Sequence, residues 1–367
     1  MDSRERTFLA LNHEEPDRVP IDFWSSRCLD AKLEKALGTS REAFLDANDV
    51  DLRYIQGPRY IGPPLAADAD GATIDIWGVR RRKVAVELAD GGREVYSELK
   101  ESPLAGAKTA KEIEAYGHWP SPDWFDYAPV ADQCRRIREA GRVTVFVGDR
   151  MNRVAQLKPA MYLRGMDRIL MDMALEPEIA AAILGRIRAF YLVYAERILE
   201  AAGGLLDIFL MGDDFGMQQG PLVSPQMWEA FLGDGFGAYA KLARDHGVKV
   251  MHHTCGSVAP LIGPMMERGL DILQSLQPEA GGMDLAGLKR DFGDGLAFHG
   301  GLSIQRTVPF GTPGDIRREV AERVRVLAPG GGYILCTSHN VQADAPIENV
   351  QALLEAYREE GTYARAR

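Results

Sequence analysis

The chain has 367 residues, enough for one large α/β domain or for two domains of average size. Its formal net charge of −10 at pH 7 argues against a general nucleic-acid binder, which needs a basic face to neutralise phosphates. No apolar run approaches the roughly 20 residues that cross a bilayer, and the first residues lack the apolar core of a signal peptide. We therefore expect a cytoplasmic protein without a membrane segment.

The first third of the chain contains two candidate strands and one candidate hairpin. Residues 19–24 and 49–55 are short and apolar, as buried strands are. Within residues 72–99, two β-rich runs are separated by an Ala-Asp-Gly-Gly turn at 89–92, a pattern typical of a β-hairpin. The sequence therefore predicts that this hairpin is inserted into a larger fold.

From residue 143 onward, short β-rich runs alternate with longer helical runs. The predicted strands are 143–148, 205–211, 248–253, 270–276, 296–299 and 332–335. The predicted helices are 165–175, 177–202, 225–246, 258–268, 285–292, 313–327 and 347–360. This alternation indicates right-handed βαβ units and a parallel sheet. With the two candidate strands of the first third, the count reaches eight and predicts a single (β/α)8 TIM-like barrel over residues 1–367; an open doubly wound sheet is the alternative.

Chemically reactive side chains follow the ends of successive predicted strands. They are Asp213, Asp214, His253, Cys255, His299, Cys336 and His339. In a (β/α)8 barrel the carboxyl ends of the strands meet at one end of the barrel, and this end carries the active site. The sequence therefore predicts that these side chains share one site.

His253 and Cys255 lie two residues apart at the end of one predicted strand. Because side chains two apart share a face, both can reach one ion, while His252 faces the other way. Imidazole nitrogen and thiolate sulfur together suit zinc, although a strand-end histidine is often only a hydrogen-bonded structural residue. Cys336, at the end of the last predicted strand, supplies a third donor. Three protein ligands with an open fourth position are typical of a catalytic zinc, which favours alkyl transfer to sulfur or activation of a leaving group.

Two other motifs allow more than one interpretation. Asp213 and Asp214 lie between glycines, and either can be a helix cap or turn residue. One of them can instead be a fourth metal ligand, or a general acid whose pKa is raised by its neighbour. His299 precedes two glycines, which allow backbone to approach a ligand, but a buried structural histidine fits equally well. Cys134 lies in a helical segment and is expected to be buried.

Taken in order, these motifs resemble the uroporphyrinogen decarboxylase superfamily. The resemblant segments are 212–218, 253–258, 296–301, 329–333, 338–342 and 348–349, and more weakly 15–20. These segments are distributed over the second half of the chain. No single segment is specific for the superfamily, but the ordered set is. The resemblance implies one (β/α)8 barrel with its site at the carboxyl ends of the strands.

This superfamily contains porphyrinogen decarboxylases and cobalamin-dependent methyltransferases, and the chain is more similar to the second group. The decarboxylases carry an Arg-Gln-Ala-Gly-Arg segment near their start, of which only Arg27 remains here. His253, Cys255 and Cys336 match the places at which the methyltransferases hold zinc. The chain departs from them around Cys336, which lacks the Gly-Cys-Gly setting, and His339 lies where the decarboxylases keep a histidine.

The resemblance implies a zinc-dependent methyltransferase that moves a methyl group between a small molecule and a corrinoid. The small molecule is a methylated donor or a thiol or folate acceptor, and the corrinoid belongs to a separate protein. The residues expected to assist catalysis are Asp213, Asp214 and His339, and those expected to contact substrate are Trp24, His299 and Gln218. The alternative is a metal-free decarboxylase or lyase acting on a small carboxylated substrate, with Asp214 and His339 handling protons. A non-enzymatic binding or scaffold barrel is the third hypothesis.

Overall fold

The computed structural model describes residues 1–67, 71–88, 92–148 and 153–363. The strands are β1 (Leu52–Ile55), β2 (Arg59–Tyr60), β3 (Thr73–Ile74), β4 (Arg80–Glu87), β5 (Arg93–Glu101), β6 (Phe125–Asp126), β7 (Val143–Phe146), β8 (Ile208–Gly212), β9 (Lys249–His253), β10 (Ile272–Leu276), β11 (Ala297–Leu302) and β12 (Tyr333–Thr337).

The α-helices surround a central sheet and connect its strands. They are α1 (Ser3–Leu11), α2 (Arg27–Leu37), α3 (Arg41–Ala47), α4 (Ala110–Glu114), α5 (Pro129–Glu139), α6 (Leu157–Arg164), α7 (Met166–Leu175), α8 (Pro177–Ala202), α9 (Pro225–Trp228), α10 (Asp234–Asp245), α11 (Ala259–Glu267), α12 (Leu285–Phe292), α13 (Thr307–Phe310), α14 (Pro313–Leu327) and α15 (Ile347–Glu360). Among the described helices, none is both long and apolar enough to cross a membrane.

Seven of the described strands form one parallel sheet in the order β1-β7-β8-β9-β10-β11-β12. Every residue of β7, β8, β10, β11 and β12 is buried, as expected for strands covered on both faces. Alternate residues such as Val143 and Val145, or Ile208 and Leu210, pack together in one apolar cluster. Phe146 and Phe209 belong instead to the larger cluster that packs against the helices. The predicted α/β barrel, rather than the open doubly wound sheet, is confirmed.

An extended segment around Ile21 fills the eighth position of the barrel. Ile21 forms a parallel bridge with Leu335 of β12, and the Asp22 N–H donates to the Leu335 carbonyl at 2.8 Å. On its other side, the Ile21 carbonyl accepts from the Asp51 N–H at 2.8 Å. The strand predicted over 19–24 thus has the expected place but is reduced to one bridge, because Pro20 has no N–H to donate to a ladder.

Asp51 holds this closing segment in place through its buried carboxylate. Its oxygens accept from the guanidinium groups of Arg6 and Arg18, each at 2.7 Å, and from the Ile21 N–H at 2.7 Å. The carboxylate is fully buried, so the two guanidinium groups compensate its charge where water cannot. The start of the chain is therefore fixed to the barrel by charge as well as by backbone pairing.

All strands and helices predicted from residue 143 onward are present, but several ends differ. β12 runs to Thr337, two residues beyond the predicted end, and β11 runs to Leu302. The helix predicted over 225–246 starts with a Ser224 side-chain cap, as expected, and contains a π-helical turn between α9 and α10. The helix α6 was not predicted, and it proves important for the site.

The inserted region is a three-stranded antiparallel sheet in the order β3-β4-β5. β4 and β5 pair from Glu87 and Arg93 back to Arg80 and Glu101, which confirms the predicted hairpin; turn residues 89–91 lie outside the described residues. The Tyr96 hydroxyl donates to Gln342 Oε1 at 2.8 Å, so the hairpin contacts the loop after β12. The insertion thereby becomes one wall of the cavity described below.

Candidate active site

A cluster of three potential metal ligands lies at the carboxyl ends of β9 and β12. His253 is the last residue of β9, Cys255 follows it by two residues, and His339 follows β12 by two residues. One ligand atom from each side chain lies within 4.8 Å of the others. His253 Nε2 is 3.5 Å from Cys255 Sγ, and the two imidazole rings have centroids 5.4 Å apart. We call these three residues the His253 cluster.

A second cluster, Asp22 with His299 and Cys336, lies in the barrel interior. The three side chains are almost fully buried, and their ligand atoms also lie within 4.8 Å of one another. His299 Nε2 is 2.8 Å from Asp22 Oδ2, which also accepts the Tyr54 hydroxyl at 2.5 Å. This arrangement forms a buried hydrogen-bond network centred on the Asp22 carboxylate.

The structure does not bring Cys336 together with His253 and Cys255, the two residues with which it was expected to form a ligand set. β12 continues to Thr337, so Cys336 is still a strand residue, paired with Gly301 of β11. Its side chain stays inside the barrel, 1% exposed, in the Asp22 cluster. The first histidine or cysteine beyond the strand is His339, whose ligand atom lies within 4.8 Å of those of His253 and Cys255.

Gln274 of β10 orients the His253 ring. Gln274 Oε1 lies 2.8 Å from His253 Nδ1. Because an amide oxygen only accepts, the Nδ1 position carries the hydrogen and Nε2 presents its lone pair toward Cys255. A second partner of this kind is typical of metal-binding histidines, whose other ring nitrogen is fixed by a hydrogen bond.

Ser275 acts on the same cluster from a β-bulge. The residue has φ +77°, uncommon for a non-glycine, and the β10–β11 register shifts between Gln274 and Leu276. Its hydroxyl donates to the Ser338 carbonyl and lies 3.3 Å from Cys255 Sγ. In a regular strand Gln274 and Ser275 would face opposite sides, so the bulge directs two consecutive side chains to the site. No sequence pattern predicted this bulge.

Close backbone contact brings the loops after β8 and β9 together. A Cβ on Gly216 would lie 2.5 Å from the Cys255 carbonyl oxygen, and one on Gly256 would lie 2.6 Å from the Gly216 carbonyl carbon. Gly256 also has φ +83°, which favours glycine. The glycines of both motifs therefore allow Asp214 to approach Cys255.

Asp213 caps a helix and does not enter the site. Its carboxylate accepts from three backbone N–H groups at the start of α6, those of Gln156 at 2.7 Å, Leu157 at 3.1 Å and Lys158 at 2.6 Å. Burial raises the pKa of Asp213 to about 6, and these three N–H bonds oppose the shift. Both oxygens are thus used for the helix, which corrects the catalytic role expected for this residue.

Asp214 faces the His253 cluster. Its Oδ1 lies 3.6 Å from His253 Nε2 and accepts the Cys255 N–H at 3.4 Å, while Oδ2 pairs with the Lys158 ammonium. Burial raises the pKa of Asp214, but the Lys158 ammonium that pairs with its Oδ2 lowers this pKa by more, so the net pKa is below its ordinary value. Asp214 is therefore a carboxylate at neutral pH and is suited to be a ligand or charge partner rather than a general acid.

Cys255 needs a cation to become a thiolate in this setting. Burial, and then the charge of Asp214, raise the pKa of the Cys255 thiol to about 12. A coordinated metal ion displaces such a proton and compensates the resulting charge. His252, by contrast, packs against Phe215 and Phe236, with ring centroids 5.1 and 5.0 Å away, and faces away from the cluster as the strand alternation predicted.

A cavity of about 860 Å³ opens beside His253 and His339. Trp24 lines it and packs against both imidazoles, with ring centroids 5.5 Å from His253 and 6.4 Å from His339. This position agrees with the substrate contact expected for Trp24. The volume lies in the range of pockets for small molecules.

The structure does not place His299 or Gln218 on this cavity. His299 is 1% exposed and is paired with Asp22 inside the barrel. Gln218 is exposed, and its Oε1 lies 3.5 Å from Gln277 Nε2, outside the cavity lining. The structure therefore does not bring these two side chains to the cavity, where the substrate contact was expected.

The His253 cluster has the donor chemistry that zinc requires. Two imidazoles and one thiolate provide three ligands, and the Asp214 oxygen 3.6 Å from His253 Nε2 is close enough to share the ion or to compensate its charge. With the Gln274 amide oxygen toward Nδ1, His253 Nε2 is available to an ion. The residues present therefore fit zinc.

The family model for uroporphyrinogen decarboxylase (URO-D) matches residues 82–360, most of the chain. The chain belongs to the uroporphyrinogen decarboxylase family. The superfamily expected from the sequence motifs is thus confirmed. The match includes all three members of the His253 cluster.

Two curated relatives of this family come from its two functional groups. The chain is 22% identical over 241 residues to a methylated-thiol–coenzyme M methyltransferase of Methanosarcina mazei, covering 61% of this chain and 60% of that protein. It is 24% identical over 194 residues to a uroporphyrinogen decarboxylase of Pelodictyon phaeoclathratiforme, covering 50% of each protein. The matches thus span between half and three fifths of the lengths of these relatives.

A solved methyltransferase structure from Methanosarcina mazei has the same fold. It superposes with a TM-score of 0.69 at 18% sequence identity and covers 98% of this chain and 99% of that chain. At this identity the likeness concerns the fold alone. It confirms the barrel over nearly the full length of the protein.

Proposed function

We propose that the protein is a zinc-dependent methyltransferase that transfers a methyl group between a small molecule and a corrinoid carried by a partner protein. The observation that carries the proposal is the His253 cluster with its two supporting residues, Gln274 and Ser275. The similarity to a methylated-thiol–coenzyme M methyltransferase supports the reaction class.

In this proposal, His253 Nε2, Cys255 Sγ and an imidazole nitrogen of His339 would hold the zinc. Bound there, zinc would act as a Lewis acid toward the heteroatom that gives up or receives the methyl group. Gln274 keeps His253 in the tautomer that presents Nε2. Asp214 provides negative charge beside the cluster, at 3.6 Å from His253 Nε2.

Other residues of the chain prepare the cavity for substrate. Trp24 packs against the two imidazoles and lines the cavity beside them. The Lys158 ammonium pairs with Asp214 and lines the cavity, where it can donate a hydrogen bond to the heteroatom that loses a methyl group. Burial lowers the pKa of Lys158, but the negative charge of Asp214 raises it by more. The net pKa lies above its ordinary value, so the ammonium is retained at neutral pH.

The size of the cavity supports a corrinoid that is carried by a partner protein. A cavity of about 860 Å³ accepts a small molecule, whereas a corrinoid macrocycle with its nucleotide is larger than such pockets. We therefore assign the small methyl donor or acceptor to the cavity and the corrinoid to a protein that docks at its opening.

A metal-free decarboxylase is the second candidate, and one arrangement favours it. Burial lowers the pKa of His339, so its imidazole is neutral and can accept a proton at the same end of the cavity as the ionised Asp214. The similarity to a uroporphyrinogen decarboxylase also supports it. In this case the two cysteines have no role in the chemistry.

Metal content and methyl transfer separate the two candidates. We expect purified protein to contain close to one zinc per chain and to transfer methyl from methylcobalamin to an added thiol. Prolonged treatment with a strong chelator should abolish this activity, and added zinc should restore it. Fully metal-depleted protein that keeps the activity, or that decarboxylates a carboxylated substrate, would contradict the zinc mechanism.

Replacing Gln274 with leucine is expected to weaken zinc binding about 10- to 100-fold, because His253 loses the partner that fixes its tautomer. The measurement is the zinc dissociation constant, determined by competition with a chelating dye. Gln274→Glu, which keeps an oxygen acceptor for Nδ1, serves as the matched control and should retain affinity. Equal zinc affinity in wild type and Gln274→Leu would show that the bond plays no part in metal binding.

A further inference from the structure

The cavity beside the His253 cluster is positively charged in a protein of net charge −10. Among the described lining residues, six cationic side chains stand against three carboxylates. The cations are Arg27, Arg41, Arg81, Lys83, Arg153 and Lys158. A concave surface with charges of one sign concentrates ligands of the opposite sign, so the excess bears on substrate choice.

Three of these cations are compensated by neighbouring carboxylates. The ion pairs are Arg41–Asp30, Arg81–Asp75 and Lys158–Asp214. The third lining carboxylate, Glu94, is used differently, since its Oε2 accepts from the Ser26 hydroxyl at 2.8 Å and the Ala343 N–H at 3.0 Å. The carboxylates are therefore committed to fixed partners in the wall.

Lys83 and Arg27 remain available to a ligand. Neither has an ion-pair partner among the described residues, and both are exposed. Lys83 lies two residues after Arg81 in β4, so it shares the face of the hairpin that Arg81 turns inward. His253, in contrast, is 2% exposed. The cavity thus extends from the buried His253 side chain to a solvent-facing part that contains Lys83 and Arg27.

Aromatic side chains form much of the remaining wall. Trp24 lies against His253, and Trp77 packs on Tyr191 with ring centroids 5.6 Å apart. Tyr162 is fixed by the Arg81 guanidinium, 4.2 Å from its ring centroid. Such surfaces favour a flat, apolar group and contact it at low entropic cost, because their own positions are fixed by packing.

We propose that the substrate is an anionic aromatic compound, with its methyl-bearing group at the His253 cluster and its carboxylate toward Lys83 and Arg27. The inference that the substrate carries a methyl group rests on the proposed function. The inference that it is an anion rests on the cavity alone. A methylammonium substrate is disfavoured, because its cation would be placed among like charges in a partly desolvated pocket.

Three ring-matched probes test the charge preference: 4-methoxybenzoate, 4-methoxybenzyl alcohol and 4-methoxybenzylammonium. We expect isothermal titration calorimetry to give at least about tenfold tighter binding for the carboxylate than for the alcohol, and no measurable binding of the ammonium. Added potassium chloride should weaken binding of the carboxylate and leave the alcohol unchanged.

The variants Lys83→Gln and Arg27→Gln locate the contact. Each should weaken carboxylate binding at least about threefold without changing alcohol binding, since exposed charges contribute modestly. Lys111→Gln makes the same change in net charge on α4, outside the cavity lining, and should have no effect.

Equal binding of the three probes, tighter binding of the ammonium, or no binding of any probe at millimolar concentration would overturn the proposal. Loss of carboxylate affinity in Lys111→Gln equal to that in Lys83→Gln would do the same. The titrations use metal-free protein and no corrinoid, so they do not depend on methyl transfer. If the probes bind as expected but the zinc-loaded protein does not transfer methyl from methylcobalamin, the proposed function is wrong and the anion preference stands.

Discussion

Replacing Cys255 with alanine is expected to abolish tight zinc binding and to lower the rate of methyl transfer at least about 100-fold. Cys255 is the one thiol of the His253 cluster, and without it two imidazoles and a neighbouring carboxylate remain. His339→Ala should have a comparable effect on metal content. Zinc per chain and the rate of transfer from methylcobalamin are the two measurements.

Cys336→Ala is the matched control for this experiment. It also removes a thiol, but from the Asp22 cluster inside the barrel, so zinc content should stay close to that of the wild type. Far-ultraviolet circular dichroism checks that each variant is folded. If Cys336→Ala loses its zinc while His339→Ala keeps it, the ligand set expected from the sequence is right and the one proposed from the geometry is wrong.

Replacing Asp213 with alanine is expected to lower the free energy of unfolding by about 3 kcal/mol. The substitution leaves three N–H groups at the start of α6 without their acceptor in a buried place. Asp213→Asn, which keeps one oxygen, should recover part of the loss. Urea unfolding monitored by fluorescence measures the effect, and a stability equal to wild type would show that water replaces the cap.

The neighbouring substitution Asp214→Ala should act on activity instead. Asp214 is part-exposed, and its partners are the Lys158 ammonium, His253 and the Cys255 N–H. We expect a fall in methyl transfer of at least about tenfold with less than about 1 kcal/mol change in unfolding free energy, because an exposed ion pair adds little stability. Loss of stability equal to that of Asp213→Ala would contradict the division of roles between these two residues.

Much of the fold could be predicted from local sequence. From residue 143 onward, buried strands read as apolar runs and helices as amphipathic periods, and each of these segments is long enough to decide its own type. The strand over residues 19–24 was harder to predict, because within it only Ile21 forms a bridge. This segment is positioned by its hydrogen bonds to Leu335 and Asp51. Helix α6 was missed because its cap, Asp213, lies far away in the sequence.

Part of the candidate site could also be predicted from the sequence. The spacing of His253 and Cys255 predicted a shared face, and that pair lies together with Sγ 3.5 Å from Nε2. Of the interpretations left open for the two aspartates, the structure shows the helix cap for Asp213 and places Asp214 beside His253. The sequence could not predict which aspartate caps the helix, because the side chains of adjacent residues point in different directions and the backbone conformation after β8 sets those directions.

The sequence by itself determined the barrel, the family and the strand ends that carry reactive side chains. Only the tertiary structure placed His339 rather than Cys336 beside His253 and Cys255, with Gln274 and Ser275 in contact with this pair. The physical reason is that the end of a strand and the place of a bulge depend on hydrogen bonds to neighbouring strands. β12 extends to Thr337 because β11 pairs with it as far as Leu302, and that pairing keeps Cys336 inside the barrel.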